Sequence, residues 1–202
     1  MLAHLLSRTI PIPRTEDEAK EDPQWILIVD VTDSIDEPYA ITFNDPTKIP
    51  WKQGFRLRFV PEPTAIKESV ELLLQSVRAH GMCWVWIDEV NAVSTSHNTP
   101  PTVLWLTLQA RKFGVGCCNV TPRPRGIDPS FMGMAQHLFT FLLTDPDDIK
   151  HIAGPFGSTP SEMKDLLYSL DDFAYIWYDV RARTRYIMPP IPQEYIEILN
   201  YG

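Results

Sequence analysis

The sequence predicts an α/β protein: a mostly parallel sheet flanked by helices, with a pair of strands near the C-terminus. Three observations carry that expectation. Four apolar runs of strand length, Ile26–Val29, Met82–Ile87, Val115–Val120 and Leu138–Leu143, recur along the chain. Segments with helical periodicity or helix-capping residues separate them. The first run ends at Asp30 and the second at Asp88-Glu89, carboxylates placed where the strands of a parallel sheet present their ligand-binding edge.

Taken in order, Leu2, Leu5 and Leu6 have helical spacing and read as the tail of a helix; the charged, proline-flanked stretch 11–24 reads as loop. Trp25–Val29 is continuously apolar and rich in branched residues, the pattern of a strand buried on both faces. Residues 31–63 are irregular, with short edge strands expected at Tyr39–Phe43 and Arg56–Val60. Ile66, Val70, Leu73, Leu74 and Val77 mark one face of a helix that Thr64 is placed to cap and Gly81 to end. Met82–Ile87 is the second buried strand. A helix is expected from Pro101 to Lys112, stopping at Gly114, and a third strand from Val115 to Thr121. Arg123 to Pro129 reads as a loop, and His137–Leu143 as a fourth strand in the same parallel sheet. Asp145 with Pro146, and Thr159 with Pro160 and Glu162, are helix-start signals, the second a capping box. Phe173–Asp179 and Arg183–Met188 read as the terminal strand pair, with a last short helix after Pro192.

A length of 202 residues suits one domain with a substantial core. The formal charge of −8 argues against a broadly basic nucleic-acid-binding surface, so any contact with DNA needs a local basic strip. Arg181, Arg183 and Arg185 alternate and would share one face of a strand, lining either such a surface or a solvated edge. The three cysteines, Cys83, Cys117 and Cys118, have no metal-site spacing and read as reduced and buried. No apolar stretch reaches bilayer length, so a soluble cytoplasmic protein with no membrane partner is expected.

The densest chemistry lies in Cys83-Trp84-Val85-Trp86-Ile87-Asp88-Glu89. A buried strand that delivers two carboxylates at its carboxyl end matches a Walker B element, in which the Asp holds Mg²⁺ and the Glu orients the attacking water. On the dipeptide alone, an acidic strand end facing solvent fits as well. The order of the motifs C-terminal to Glu89 is more specific. A helix end at Gln109-Ala110-Arg111-Lys112-Phe113-Gly114-Val115-Gly116 leads to a strand closing at Asn119-Val120-Thr121-Pro122-Arg123-Pro124. Then come Ile127-Asp128-Pro129, the run His137 to Leu143, and Asp145-Pro146-Asp147-Asp148.

This succession resembles the HerA/FtsK superfamily of DNA-translocating P-loop ATPases and its viral genome-packaging relatives, over roughly residues 25–190. The resemblance implies a RecA-like sheet in a single ATPase-like domain over residues 1–202. It also implies a ring-forming homo-oligomer acting on DNA, with Mg²⁺ and ATP as cofactors, in the cytoplasm (of the host, if viral). It assigns Asp88 to the Mg²⁺ and Glu89 to catalysis. Asp30 falls at the nucleotide-binding edge and Thr121 at the sensor strand's end near the γ-phosphate. Arg111 or Arg123 becomes the arginine that reaches a neighbouring subunit's nucleotide.

Two departures qualify it. Pro122 stands where the family's sensor glutamine does, and proline offers neither amide side chain nor N–H. No G-x-x-x-x-G-K-S/T motif and no Gly-Lys pair occurs, so the amides and lysine that hold phosphates are missing from the sequence. The chain is expected to begin just after the P-loop position and to bind ATP weakly or not at all. Three readings are open: the core of a DNA-moving ATPase, a pseudo-ATPase scaffold or interaction subunit of a phage or mobile-element assembly, and an unrelated metal-dependent hydrolase. The third is weakest, because no second Asp, Glu or His cluster completes a metal site.

Overall fold

The computed structural model describes residues 25–37, 40–53 and 56–191. The sequence expectations for the leading helix, for the loop 11–24, for Tyr39 and for the helix after Pro192 lie outside them. The chain divides into two compact units, one running to Pro122 and one starting at Arg123.

The first unit holds a five-stranded, wholly parallel sheet. Its strands are β1 (Trp25–Asp30), β2 (Ile41–Phe43), β3 (Arg56–Phe59), β4 (Cys83–Asp88) and β5 (Gly116–Asn119), in the order β2-β3-β1-β4-β5. The central position of β1 explains its unbroken apolar run: Ile26, Leu27, Ile28 and Val29 are all buried. Burying each contributes roughly 1.5–3 kcal/mol relative to exposure. On one face Ile26, Ile28 and Trp86 form a cluster against which Ile35 and Cys118 pack. Arg56–Phe59 is an inner strand and not an edge, because β2 pairs outside it.

Helix α1 (Ile66–His80) buries the expected stripe of Val70, Leu73, Leu74 and Val77. Thr64 does not cap it. The amide of Ala65 bonds to the Glu62 carbonyl in a tight turn, so Ala65 is the N-cap residue and no side chain caps the helix. Gly81 ends the helix at φ 70°, and a Cβ there would meet the Phe113 carbonyl oxygen at 2.8 Å. A one-turn helix, α2 (Val90–Val93), comes directly after β4. The segment expected as one helix is two pieces, α3 (Pro101–Leu108) and a 3-10 turn over Ala110–Phe113, broken at Gln109 (φ −132°, ψ −18°). Glu71 of α1 ties α3 down by accepting from the Thr102 amide (3.2 Å) and hydroxyl (2.6 Å). Gly116 opens β5 because the Trp84 ring lies over it, and a Cβ would sit 2.6 Å from that ring.

The second unit starts with a 3-10 turn (Pro124–Gly126) and the short α4 (Pro129–Gly133), capped by Asp128. Its sheet is antiparallel: β6 (His137–Thr140), β7 (Tyr175–Asp179) and β8 (Thr184–Met188) in that order. This corrects the fourth parallel strand. The run His137–Leu143 has strand composition, but composition says nothing about partner or direction, and it pairs antiparallel with β7. Between these strands lie α5 (Pro146–Ala153) and α6 (Pro160–Tyr168), which start at Asp145 and at the Thr159–Glu162 capping box. Arg181, Arg183 and Arg185 do not line one strand face. Arg181 and Arg183 sit in the turn joining β7 to β8, with Arg183 at φ 56°, and only Arg185 is in β8. Among the described residues, no helix is long and apolar enough to cross a membrane.

Candidate functional site

The parallel register puts Asp30 and Asp88 side by side, as the last residues of β1 and β4. β5 ends two residues before Thr121. Backbone bonds continue the pairing of the strand ends: the Val120 amide donates to the Ile87 carbonyl (2.9 Å) and the Val90 amide to the Val120 carbonyl (2.8 Å). Asp30, Asp88, Glu89 and Thr121 therefore gather at the carboxyl edge of one sheet.

Their surroundings differ. The fully buried Asp30 carboxylate accepts the amides of Ser34 (3.1 Å) and Ile35 (2.8 Å) and both Nε (3.0 Å) and Nη2 (2.6 Å) of Arg58. Arg58 also reaches Asp33. Asp88 is half-buried. Burial first, and then the neighbouring Asp30, hold its carboxyl above the usual carboxylate range. Glu89 adopts the left-handed conformation (φ 54°, ψ 53°) as it starts α2. That conformation costs a non-glycine residue about 1–2 kcal/mol, and such strain clusters at functional sites. The Thr121 hydroxyl donates to Asn91 Oδ1 (3.1 Å), linking the end of β5 to the helix that Glu89 starts. Pro122 is exposed. Along the same edge, at the ends of β1, β2 and β3, lies a cleft of about 490 Å³ whose lining includes Thr32, Asp33, Asn44 and Glu62.

The two candidate arginines also differ. Arg111 is exposed in the 3-10 turn after α3 and makes no ion pair among the described residues. Arg123, at the start of the second unit, has Nη1 3.3 Å from Asp145 Oδ2 and 3.4 Å from Asp148 Oδ2. It is held by carboxylates of its own chain. The cysteines are free, and burial pushes the Cys83 thiol up to about 12 and the Cys117 thiol to about 11, so both are protonated.

Sequence reading missed three residues here. Arg58 was masked: arginines alternating with apolar residues read as a half-exposed edge strand, and its partner Asp30 is 28 residues away in sequence. Asn91 carried no signal, since α2 is a single turn. Asn119, whose buried Oδ1 has no hydrogen-bond partner among the described residues, ends β5 beside Ile87 and was hidden among the cysteines.

No family model matches the chain. Two curated proteins named DNA double-strand break repair helicase HerA are similar to part of it. The one from Sulfolobus acidocaldarius is 25% identical over 88 residues and the one from Saccharolobus solfataricus 26% over 88 residues. In each case the match covers 42% of this chain and 18% of the helicase, so the chain spans under a fifth of those relatives' length. Among solved structures, the fold is similar to that of the genome packaging NTPase B204 from Sulfolobus turreted icosahedral virus 2. The sulfate complex superposes with a TM-score of 0.69 at 18% identity, covering 94% of this chain and 92% of B204. The AMPPCP complex gives a TM-score of 0.64 at 17% identity over 86% of each. The motif order, the partial similarity to HerA and the fold shared with B204 relate the chain to the HerA/FtsK-type P-loop ATPases.

Proposed function

We propose that this chain is the core of a HerA/FtsK-like ATPase used in DNA translocation or viral genome packaging. In this reading it is one ATPase-like domain working in a homo-oligomeric ring, and on its own it turns ATP over weakly or not at all. The observation that carries the reading is the meeting of Asp88, Glu89 and Thr121 at one carboxyl edge of a parallel sheet. Asp88 is the carboxylate for Mg²⁺: it is half-buried, raised in pKa and beside another acid, a setting that a divalent cation relieves. Asp30 is committed to Arg58 and two amides, which leaves a single ligand. One carboxylate suffices for Mg²⁺ only when phosphate oxygens and water complete the shell. When bound, Mg-ATP supplies the transferable phosphoryl group. Glu89, held by its backbone at the start of α2, would orient the attacking water, and Thr121, at the end of the neighbouring strand, would serve the terminal phosphate. Arg111 is the better candidate to serve a neighbouring subunit, because it makes no ion pair among the described residues while Arg123 is held by Asp145 and Asp148.

The residues do not fit the phosphates as well. The sequence has no glycine-rich loop, and Arg58 is spent on Asp30 and Asp33. Each lost charge-assisted bond to phosphate is worth about 1.5–3 kcal/mol, and about 1.4 kcal/mol is tenfold in affinity. Two or three such losses weaken a micromolar site by roughly a hundredfold or more. Calorimetric titration of the 202-residue chain with Mg-ATP should therefore show no micromolar binding. Adding a strand and a glycine-rich P-loop upstream should restore binding, and Asp88→Ala should abolish it again. Micromolar binding by the unmodified chain would sink the claim of weak activity. Failure of the extended chain to bind would favour the second reading, a pseudo-ATPase scaffold of a phage or mobile-element assembly. Pro122 in the sensor position favours that reading too.

A further inference from the structure

Over β6 and β7 the antiparallel sheet of the second unit has one covered face and one more open face, on which Tyr175 is buried; β8 is exposed on both faces. On the covered face Thr140, Ile176 and Tyr178 are buried, and Tyr178 stacks on Phe156 at 6.0 Å. The open face carries Phe139, Trp177 and Tyr186, which are direct cross-strand partners in all three strands. Phe139 and Trp177 lie nearly parallel (10°, centroids 6.3 Å apart), and Trp177 and Tyr186 stack at 4.8 Å and 28°. The Trp177 indole is oriented further by donating to His137 Nδ1 (3.3 Å). Yet Phe139 is 41% exposed and Tyr186 42%. Aromatic pairs across strands stabilise a sheet, but that role does not require Phe139 and Tyr186 to stay open to water on either side of the half-buried Trp177.

Local charge indicates what the row fits. The chain as a whole is acidic, but the β7–β8 turn and β8 carry Arg181, Arg183 and Arg185 and no acid from Val180 to Met188. Arg181 and Arg183 are exposed and make no ion pair among the described residues. Asp179, at the same end of β7, has an oxygen occupied by the Ala182 amide (2.8 Å). The acidic pair Asp171 and Asp172 precedes the opposite end of that strand. A row of rings that crosses the strands, with cations to one side of it in the β7–β8 turn, suits a chain that carries flat bases along one flank and anions along the other. We propose that this face binds single-stranded nucleic acid, with bases stacked on Phe139, Trp177 and Tyr186 and backbone phosphates held by Arg181 and Arg183. Sheets that present aromatic rings to stacked bases follow the same physics.

The test is fluorescence anisotropy of a labelled twelve-nucleotide oligothymidylate with the full chain and no nucleotide, so its outcome stands apart from the ATPase reading. Phe139→Ala and Tyr186→Ala should each weaken binding by about tenfold. Arg181→Gln/Arg183→Gln, which leaves the sheet untouched, should lower the slope of log affinity against log salt by about 1.4, or about 0.7 per phosphate. Duplex DNA of the same length should compete poorly, because its bases are not free to stack. The proposal fails if the wild-type chain shows no binding up to about 10⁻⁴ M, or if ring and arginine variants bind as the wild type does. It also fails if sedimentation shows that Tyr186→Ala only dissociates an assembly of the chain, which would make the face a protein interface.

Discussion

Asp30 and Asp88 finish neighbouring strands in matched register, yet the two strand ends have opposite character. At the end of β1 both carboxylate oxygens are engaged: two loop amides and a guanidinium converge on one carboxylate that water does not reach. At the end of β4 the carboxylate is half-exposed, makes no ion pair among the described residues and is followed by a residue in a strained conformation. The same residue type at equivalent positions is structural in one case and available in the other. The difference lies in β3. Arg58 stands on the far side of β1 from β4 and so neutralises Asp30 alone of the two. An acid at a sheet edge is therefore a candidate for chemistry only once its neighbours on both flanking strands are known.

The sharpest way to break this contrast is Asp30→Ala. It leaves the largely buried Arg58 with the exposed Asp33 as its remaining carboxylate partner and leaves the Ser34 and Ile35 amides without their acceptor. Removing one partner of a buried pair typically costs about 3–5 kcal/mol. Urea unfolding should show that loss as a lower midpoint at unchanged slope. A loss below about 1 kcal/mol, the range of exposed pairs, would mean that the β1 end is not held together as described.

How much of this was legible in the sequence depends on what each signal measures. Apolar runs report burial, so β1, β4 and β5 were found, and capping chemistry located α5 and α6 at Asp145 and Thr159. The order of motifs gave the kinship. Partner choice is a long-range property, so His137–Thr140 was read as a parallel strand when its bonds go to β7. The inner place of β3 was hidden because Arg56 and Arg58 make it look like an edge strand. Their carboxylate partners, Glu37 and Asp30, are remote in sequence, and Arg56 Nη1 lies 3.5 Å from Glu37 Oε1 inside the protein. The strain at Glu89 was also out of reach, because nothing in Asp88-Glu89-Val90 announces a left-handed residue.

That strain supplies the next test. Asp33 in the β1 loop also has positive φ (53°), but aspartate tolerates the left-handed region through local hydrogen bonding and glutamate is less suited to it. Glu89→Gly should therefore raise stability by about 0.5–1 kcal/mol, the relief of strain less the entropy that glycine gains on unfolding. If Glu89 orients the water, the same substitution in a chain extended by a P-loop should abolish hydrolysis while nucleotide binding persists. A destabilised Glu89→Gly chain would show that the left-handed turn is held by side-chain contacts and not imposed against the residue's preference.

The smallest expected effect is at Asp88, whose partial exposure lets water screen its charge. Its folded pKa lies above the ordinary 3.8, through burial and then through Asp30. Between those two values the folded chain binds more protons than the unfolded chain, so stability falls as pH rises through the interval. The favourable contribution is complete below the unfolded value and gone above the folded one. Asp88→Asn keeps the shape and removes the charge. It should melt at a higher temperature than the wild type at pH 7, and that advantage should shrink as the pH falls through the interval and be gone below the ordinary carboxylate value. Asp30→Asn should do the reverse at pH 7, because there the charge is paired with Arg58. Melting curves of the two variants at neutral and acid pH test the contrast directly. If Asp88→Asn lowers the melting temperature at pH 7, then the folded chain holds the Asp88 carboxylate by more than the adjacent Glu89 amide, and the two strand ends are alike after all.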